Sequence, residues 1–400
     1  MTLRQPHTAT RRPSRRCLRR SLSAALVALA LTSSGCTYSR LALRAMTAKP
    51  AAPIEPGIRM DRLTELGWAF ERLSVPELGP IVRVEGIDCT RGRDELLLAG
   101  GEKFGSFVRQ SSASAELQLT AQWLQSYPET TGDVLFLDVD GDGRCEVVDQ
   151  GGGWQETGVY SLEGELLWSF ERRRQAVDIM VPAQLDGDPR TVEFLIGMNA
   201  SGGLYAVDHR GEELWHVEAG NVFQIEVEDL DGDGTAEIVH SDPRASALVR
   251  RLDGSLLGPI HFAEDTTFEI VRPRGEAPLW VESKFEEGPD GNVTERLQIR
   301  RLDGLLHLEL PLPETGHSAR LFWVEGEEGD GMWAAVRTLR AVGARSAVML
   351  WNREGELLYH EVLPSSYVSG QTLGLAEGPR FIVGGYDELM VLRPVSAPQS

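Results

Sequence analysis

The stretch Phe223-Gln-Ile-Glu-Val-Glu-Asp229-Leu-Asp231-Gly-Asp233-Gly-Thr235-Ala-Glu237-Ile-Val-His240 decides how this sequence is read. Its first part alternates, with Phe223, Ile225 and Val227 on one face and Gln224, Glu226 and Glu228 on the other. A period of two predicts a half-buried strand. Asp229, Asp231 and Asp233 follow at alternate positions, with glycines at 232 and 234, and Glu237 leads into a second apolar run. Three carboxylates at alternate positions of a glycine-bent loop form a cage of hard oxygen ligands. The backbone carbonyl of Thr235 and the carboxylate of Glu237 complete the protein ligands. Such a set suits Ca2+, which takes six to eight oxygens from carboxylates, carbonyls and water.

The same words occur earlier, as Val134-Leu-Phe-Leu-Asp138-Val-Asp140-Gly-Asp142-Gly-Arg144-Cys-Glu146. The expected ligands there are Asp138, Asp140, Asp142, the carbonyl of Arg144, and Glu146. A third copy, Gln184-Leu-Asp186-Gly-Asp188-Pro-Arg190-Thr-Val-Glu193, is damaged. Gln184 replaces the first aspartate and Pro189 a glycine, so no ion is expected at Asp186 and Asp188. The copies start at 138, 184 and 229, steps of 46 and 45 residues. A fixed step of this size marks a repeat architecture.

A second signal follows each loop: a strand, a tight turn and another strand. Its glycines are Gly164, Gly211, Gly254, Gly304 and Gly355, and Trp168, Trp215 and Tyr359 recur shortly after the turn. Such hairpin turns need glycine at a position of positive φ. Each unit thus holds four strands, which predicts an all-β fold: a β-propeller of four-stranded blades. The expected blades span 80–122, 132–171, 176–218, 222–262, 267–310 and 319–362, with a seventh from Gln371 that supplies only three strands. Thr64–Arg72 is similar to the outer strand at 164–172 and is expected to complete the last blade from the N-terminal side. Seven blades is the count, with six or eight as alternatives.

The N-terminal 35 residues carry seven arginines, no acidic residue and a short apolar run from Leu22 to Leu31. That run is too short to span a bilayer, so it predicts a cleaved signal. Its end, Thr32-Ser-Ser-Gly-Cys36, resembles a bacterial lipobox, which implies lipidation of Cys36, cell-envelope localisation at the outer membrane, and plain secretion if Cys36 is unmodified. The expected domains are therefore a signal at 1–35, the lipidated cysteine and a Pro/Ala-rich tether at 36–57, the propeller at 58–393 and a tail at 394–400. Without the signal, 33 basic residues face 60 acidic ones, a net charge of −27. A surface this acidic excludes nucleic acid as a partner and leaves the lipid anchor as the only membrane contact.

The two intact loops resemble the cation-binding loops of FG-GAP and VCBS-type propellers, the group that includes the integrin α-subunit. The resemblance implies Ca2+ at both loops, with Glu in place of the last aspartate. The EF-hand reading fails because position twelve is Asp149 in one copy and His240 in the other, and strand-like runs flank both. The hairpins are similar to repeats of quinoprotein dehydrogenases, which would give the tryptophans either blade packing or quinone stacking. No His-Glu-x-x-His, Gly-x-Ser-x-Gly, phosphate loop or Cys-x-x-Cys is present. The expectation is a monomeric, non-enzymatic, calcium-binding scaffold for an envelope or extracellular protein or glycan; the alternative is a secreted propeller enzyme. Cys89 and Cys145 lie in equivalent loops of neighbouring blades, and either bridge each other or pack as separate thiols.

Overall fold

In this computed structural model the described residues are 55–75, 78, 81–85, 95–100, 103–110, 118–126, 134–149, 157–172, 176–243, 246–263, 267–287, 293–314, 316–326, 331–339, 345–364, 369–375, 378–385 and 388–394. The signal, Cys36 and Cys89 lie outside them.

The chain runs as successive antiparallel meanders. Four sheets have four strands each. The first comprises Val134–Leu137, Glu146–Asp149, Thr157–Ser161 and Leu166–Phe170, and the second Val177–Ala183, Glu193–Met198, Gly203–Val207 and Glu213–Val217. The third comprises Ile225–Glu228, Glu237–Asp242, Ser246–Arg250 and Leu256–Pro259, and the fourth Phe268–Val271, Leu279–Glu287, Val293–Arg301 and Leu306–Leu312. A fifth meander, Gly316–Val324 to Leu357–Leu363, carries an added outer strand, Gly57–Asp61. The remaining strands form one eight-stranded sheet. One half is Ile81–Glu85, Glu95–Gly100, Lys103–Gln110 and Gln118–Ser126; the other is Ser369–Leu375, Gly378–Gly384, Glu388–Pro394 and the N-terminal Trp68–Ser74. A single parallel bridge, Ser74 to Gln118, joins the halves. Among the described residues there is no α-helix, and no helix is long and apolar enough to cross a membrane.

Trp68–Ser74 pairs antiparallel along its whole length with Glu388–Pro394. The sequence reading starts this strand at Thr64. Thr64–Leu66 is instead one turn of 3-10 helix, ended by Gly67 in the left-handed region at φ 74°, which breaks extended backbone. The reading also begins the propeller at residue 58 but assigns no strand there. Gly57–Asp61 is in fact a strand on the edge of Leu357–Leu363, with Asp61 opposite Tyr359.

The apolar core lies between neighbouring sheets. One cluster joins Leu135, Val148 and Val159 to Phe194, Ile196 and Val207. Similar clusters join each next pair, as far as Val348 and Leu350 against Phe381 and Leu392. Aligned alternate residues of both faces interdigitate in this way when sheets stack. A buried ion pair, Arg337 to Glu295 at 2.6 Å, ties two of the sheets.

The hairpin turns add a latch between sheets. In each, the glycine N–H donates to the carbonyl three residues back, as Gly211 does to Asp208 at 3.0 Å. The glycines have φ between 78° and 88°, the geometry of a three-residue loop closed by a glycine bulge. The indole of Trp168 packs on Gly211 of the next sheet and donates to the His209 carbonyl at 2.9 Å. Trp215 repeats this on Gly254 and the Leu252 carbonyl at 3.0 Å. Phe262 on Gly304 and Leu308 on Gly355 continue the series without the hydrogen bond. A Cβ on Gly211 would lie 2.8 Å from the Trp168 ring, so glycine serves both the turn and the latch.

Candidate metal centres

The loop between the first two strands of the 134–170 sheet and its counterpart in the 225–259 sheet fold identically. Asp138 accepts the amides of Gly141 and Gly143, both at 2.9 Å, one on each carboxylate oxygen. Asp229 accepts those of Gly232 and Gly234 at 2.7 and 3.1 Å. Asp140 accepts the Asp142 amide and Asp142 the Arg144 amide; Asp231 and Asp233 do the same for Asp233 and Thr235. Glu146 and Glu237 open the second strand of each sheet. Each reaches back to the amide of the residue after the first aspartate, Val139 at 2.8 Å and Leu230 at 2.9 Å. Short polar side chains thus hold the turn by their own local bonds, and one oxygen of most carboxylates is left over.

Three of the carboxylates in each loop converge. Ligand oxygens of Asp138, Asp140 and Glu146 lie within 4.8 Å of one another, and so do those of Asp229, Asp231 and Glu237. Asp142 and Asp233 stand outside this tight triad. Burial pushes the Glu146 carboxyl up to about 7, and Asp140, Asp142 and Asp138 push the same way against the Val139 amide. Glu237 is raised by the same causes. Among the described residues no basic side chain pairs with the first triad: Arg144 turns away to Glu163 at 3.1 Å. A buried acid among three others fits a divalent cation, which takes such oxygens directly.

The third loop solves the same problem with its own atoms. Glu193 is fully buried and accepts the Leu185 amide at 2.8 Å, as Glu146 and Glu237 do for their counterparts. Where the first aspartate would stand, the Gln184 amide donates to the carbonyls of Asp188 and Thr191 at 2.8 and 3.0 Å. Arg190 folds onto Asp188 through two bonds of 2.9 and 2.6 Å, and these hold the Asp188 carboxyl down at about 2. Val192, the one extra residue of this loop, donates to the Val139 carbonyl at 3.0 Å. Gly141, at φ 78°, comes so close that a Cβ there would lie 2.4 Å from the Arg190 carbonyl. The damaged loop therefore braces the first intact one.

Sequence reasoning missed one partner of these loops. Arg272, from the next sheet, donates to Glu228 at 2.7 Å and to the carbonyl of Asp229; it stands 43 residues away from Asp229 with no motif to announce it. Cys145 is disulfide-bonded, and its partner lies outside the described residues. A further crowd of acids sits on adjacent innermost strands. Burial pushes Glu226 up to about 8, with Glu269 adding to the rise and Arg320 opposing it. Burial likewise pushes Glu269 up to about 7, against Arg320 and the Leu321 amide.

Comparison with solved structures decides what the meanders amount to. BBS1N in complex with ARL6DN aligns with a TM-score of 0.51 at 12% identity, over 82% of this chain and 95% of that one. The fold is a β-propeller. The WD40 domain of Toxoplasma gondii coronin is also similar, with a TM-score of 0.49 at 10% identity over 88% of this chain and 90% of that one. No family model matches the chain, and no curated protein matches it in sequence.

Proposed function

We propose that this chain is a calcium-stabilised, non-enzymatic, seven-bladed propeller, anchored to a bacterial envelope through a lipidated Cys36, which presents its loop face to an extracellular protein or glycan. The observation that carries the calcium reading is the pair of identical triads, Asp138–Asp140–Glu146 and Asp229–Asp231–Glu237. The cation would be held by these carboxylates with Asp142 and Asp233 and the carbonyls of Arg144 and Thr235. It would neutralise the charge that raises Glu146 and lock the loop to the start of the second strand. The seven-blade count rests on six complete meanders plus the sheet that borrows Trp68–Ser74. Cys89 is the proposed partner of Cys145.

Calcium bound by the folded loops and not by the unfolded chain adds to stability. EGTA should lower the melting temperature, and Ca2+ should restore it better than Mg2+, whose rigid octahedron suits these loops less. Calorimetry with no Ca2+ uptake at millimolar concentration would end this reading.

A further inference from the structure

Beside the first intact loop lies a cleft of about 380 Å3 between the 134–170 and 177–217 sheets. Its size is that of a small-ligand site. It is lined by the loop, at Asp140 and Glu146, by the next sheet's hairpin turn, at His209 and Arg210, and by Leu167 and Trp168. The Trp168 indole is fixed by its bond to the His209 carbonyl, and Leu167 is 51% exposed.

Arg210 sets this cleft apart. Its Nε donates to His209 Nε2 at 3.2 Å, and its guanidinium makes no ion pair among the described residues. The arginines nearby each hold a carboxylate: Arg144 has Glu163, Arg172 has Glu213 and Arg190 has Asp188. In a chain with 60 acidic residues, an unpaired guanidinium at the edge of a cleft is a receptor for an outside carboxylate, which it grips through two parallel N–H bonds. Leu167 and Trp168 give the same cleft an apolar lining. The complementary ligand combines an acid, hydroxyls and an apolar face.

We propose that this cleft binds a hexuronate unit of an acidic glycan. Its carboxylate would sit on Arg210, its ring on Leu167 and Trp168, and its hydroxyls would complete the Ca2+ shell at Asp140. This rests on the calcium reading of the first loop, and the experiment separates the two. Calcium uptake is measured by calorimetry on the full chain. Saturation-transfer NMR then follows galacturonate and glucuronate, with galactose, glucose and N-acetylglutamate as controls, in Ca2+ and in EGTA. The expected result is uronate binding in Ca2+ that disappears in EGTA. Arg210→Gln, at an exposed turn, should weaken uronate binding about tenfold or more while calcium uptake stays unchanged. Calcium uptake without uronate binding overturns the glycan proposal alone. So do equal binding of the neutral hexoses, tighter binding of N-acetylglutamate, or indifference to Arg210→Gln. Loss of the calcium reading itself, seen as no uptake, removes the bridging ion and the proposal with it.

Discussion

Two neighbouring loops, 138–146 and 184–193, begin from the same sequence pattern and reach opposite electrostatic solutions. The first gathers Asp138, Asp140 and Glu146 around a space that a cation would fill. The second removes one carboxylate, inserts a Gln184 amide in its place, and turns Arg190 onto Asp188. Both keep the buried glutamate that ties the loop to its strand. The glutamate clasp is thus the structural constant of the repeat, and the charge in the middle is the variable. Under the proposed calcium reading, a loop with its own guanidinium would be independent of the ion supply and a loop without one would be coupled to it.

The sharpest way to break this comparison is to remove the first aspartate of an intact loop. Asp138→Ala removes the acceptor of the Gly141 and Gly143 amides and one ligand oxygen set. At free Ca2+ about 100-fold above Kd, loss of that ion costs about 2.7 kcal/mol. Chemical denaturation in Ca2+ should show a loss of that order, and in EGTA most of it should vanish. An equal loss in both conditions would mean the aspartate is only a turn former.

A smaller effect separates these loops from the crowded acids on the inner strands. Glu226 and Glu269 have folded-state pKa values of about 8 and about 7, above their ordinary 4.5. The folded chain then holds protons that the unfolded chain has released, so stability falls as pH rises from about 4.5 towards 8. Melting in excess Ca2+ from about pH 5 to about pH 9 should show that decline, and Glu226→Gln should flatten it. A slope indifferent to this substitution refutes the assignment.

The smallest effect belongs to Arg190→Ala. Arg190 is largely exposed and Asp188 only partly covered, and such surface pairs contribute little. Melting should be unchanged, with or without EGTA. A large loss here would make the guanidinium an obligatory substitute for the ion and tighten the comparison.

Much of this was legible in the sequence because the repeat writes its parts at fixed spacing. The aspartates, the closing Glu146 and Glu237, the turn glycines and the packing tryptophans all recur in register. What was not legible came from elsewhere in the chain. Arg272 and Arg210 reach their sites from the neighbouring sheet, so their spacing from the loops carries no motif. The added strand Gly57–Asp61 is exposed along its whole length, so no buried face imposes an alternating pattern on it. The 3-10 turn at Thr64–Leu66 depends on one left-handed glycine, Gly67, within a run that otherwise matches a strand.

The N-terminal pair of strands has a consequence in time. Gly57–Asp61 and Trp68–Ser74 lie on the outer edges of the last two meanders, and Arg72 meets Glu388 across 316 residues of sequence. Strands made early therefore wait for partners made about 300 residues later. Gly57–Asp61 lacks its partner until Leu357–Leu363 emerges, and Trp68–Ser74 until Glu388–Pro394 does, a condition that favours pairing with other chains. A nascent chain is exposed to misassembly from the synthesis of Ser74 until Glu388–Pro394 follows, and the arrival of that one strand ends the exposure at a stroke.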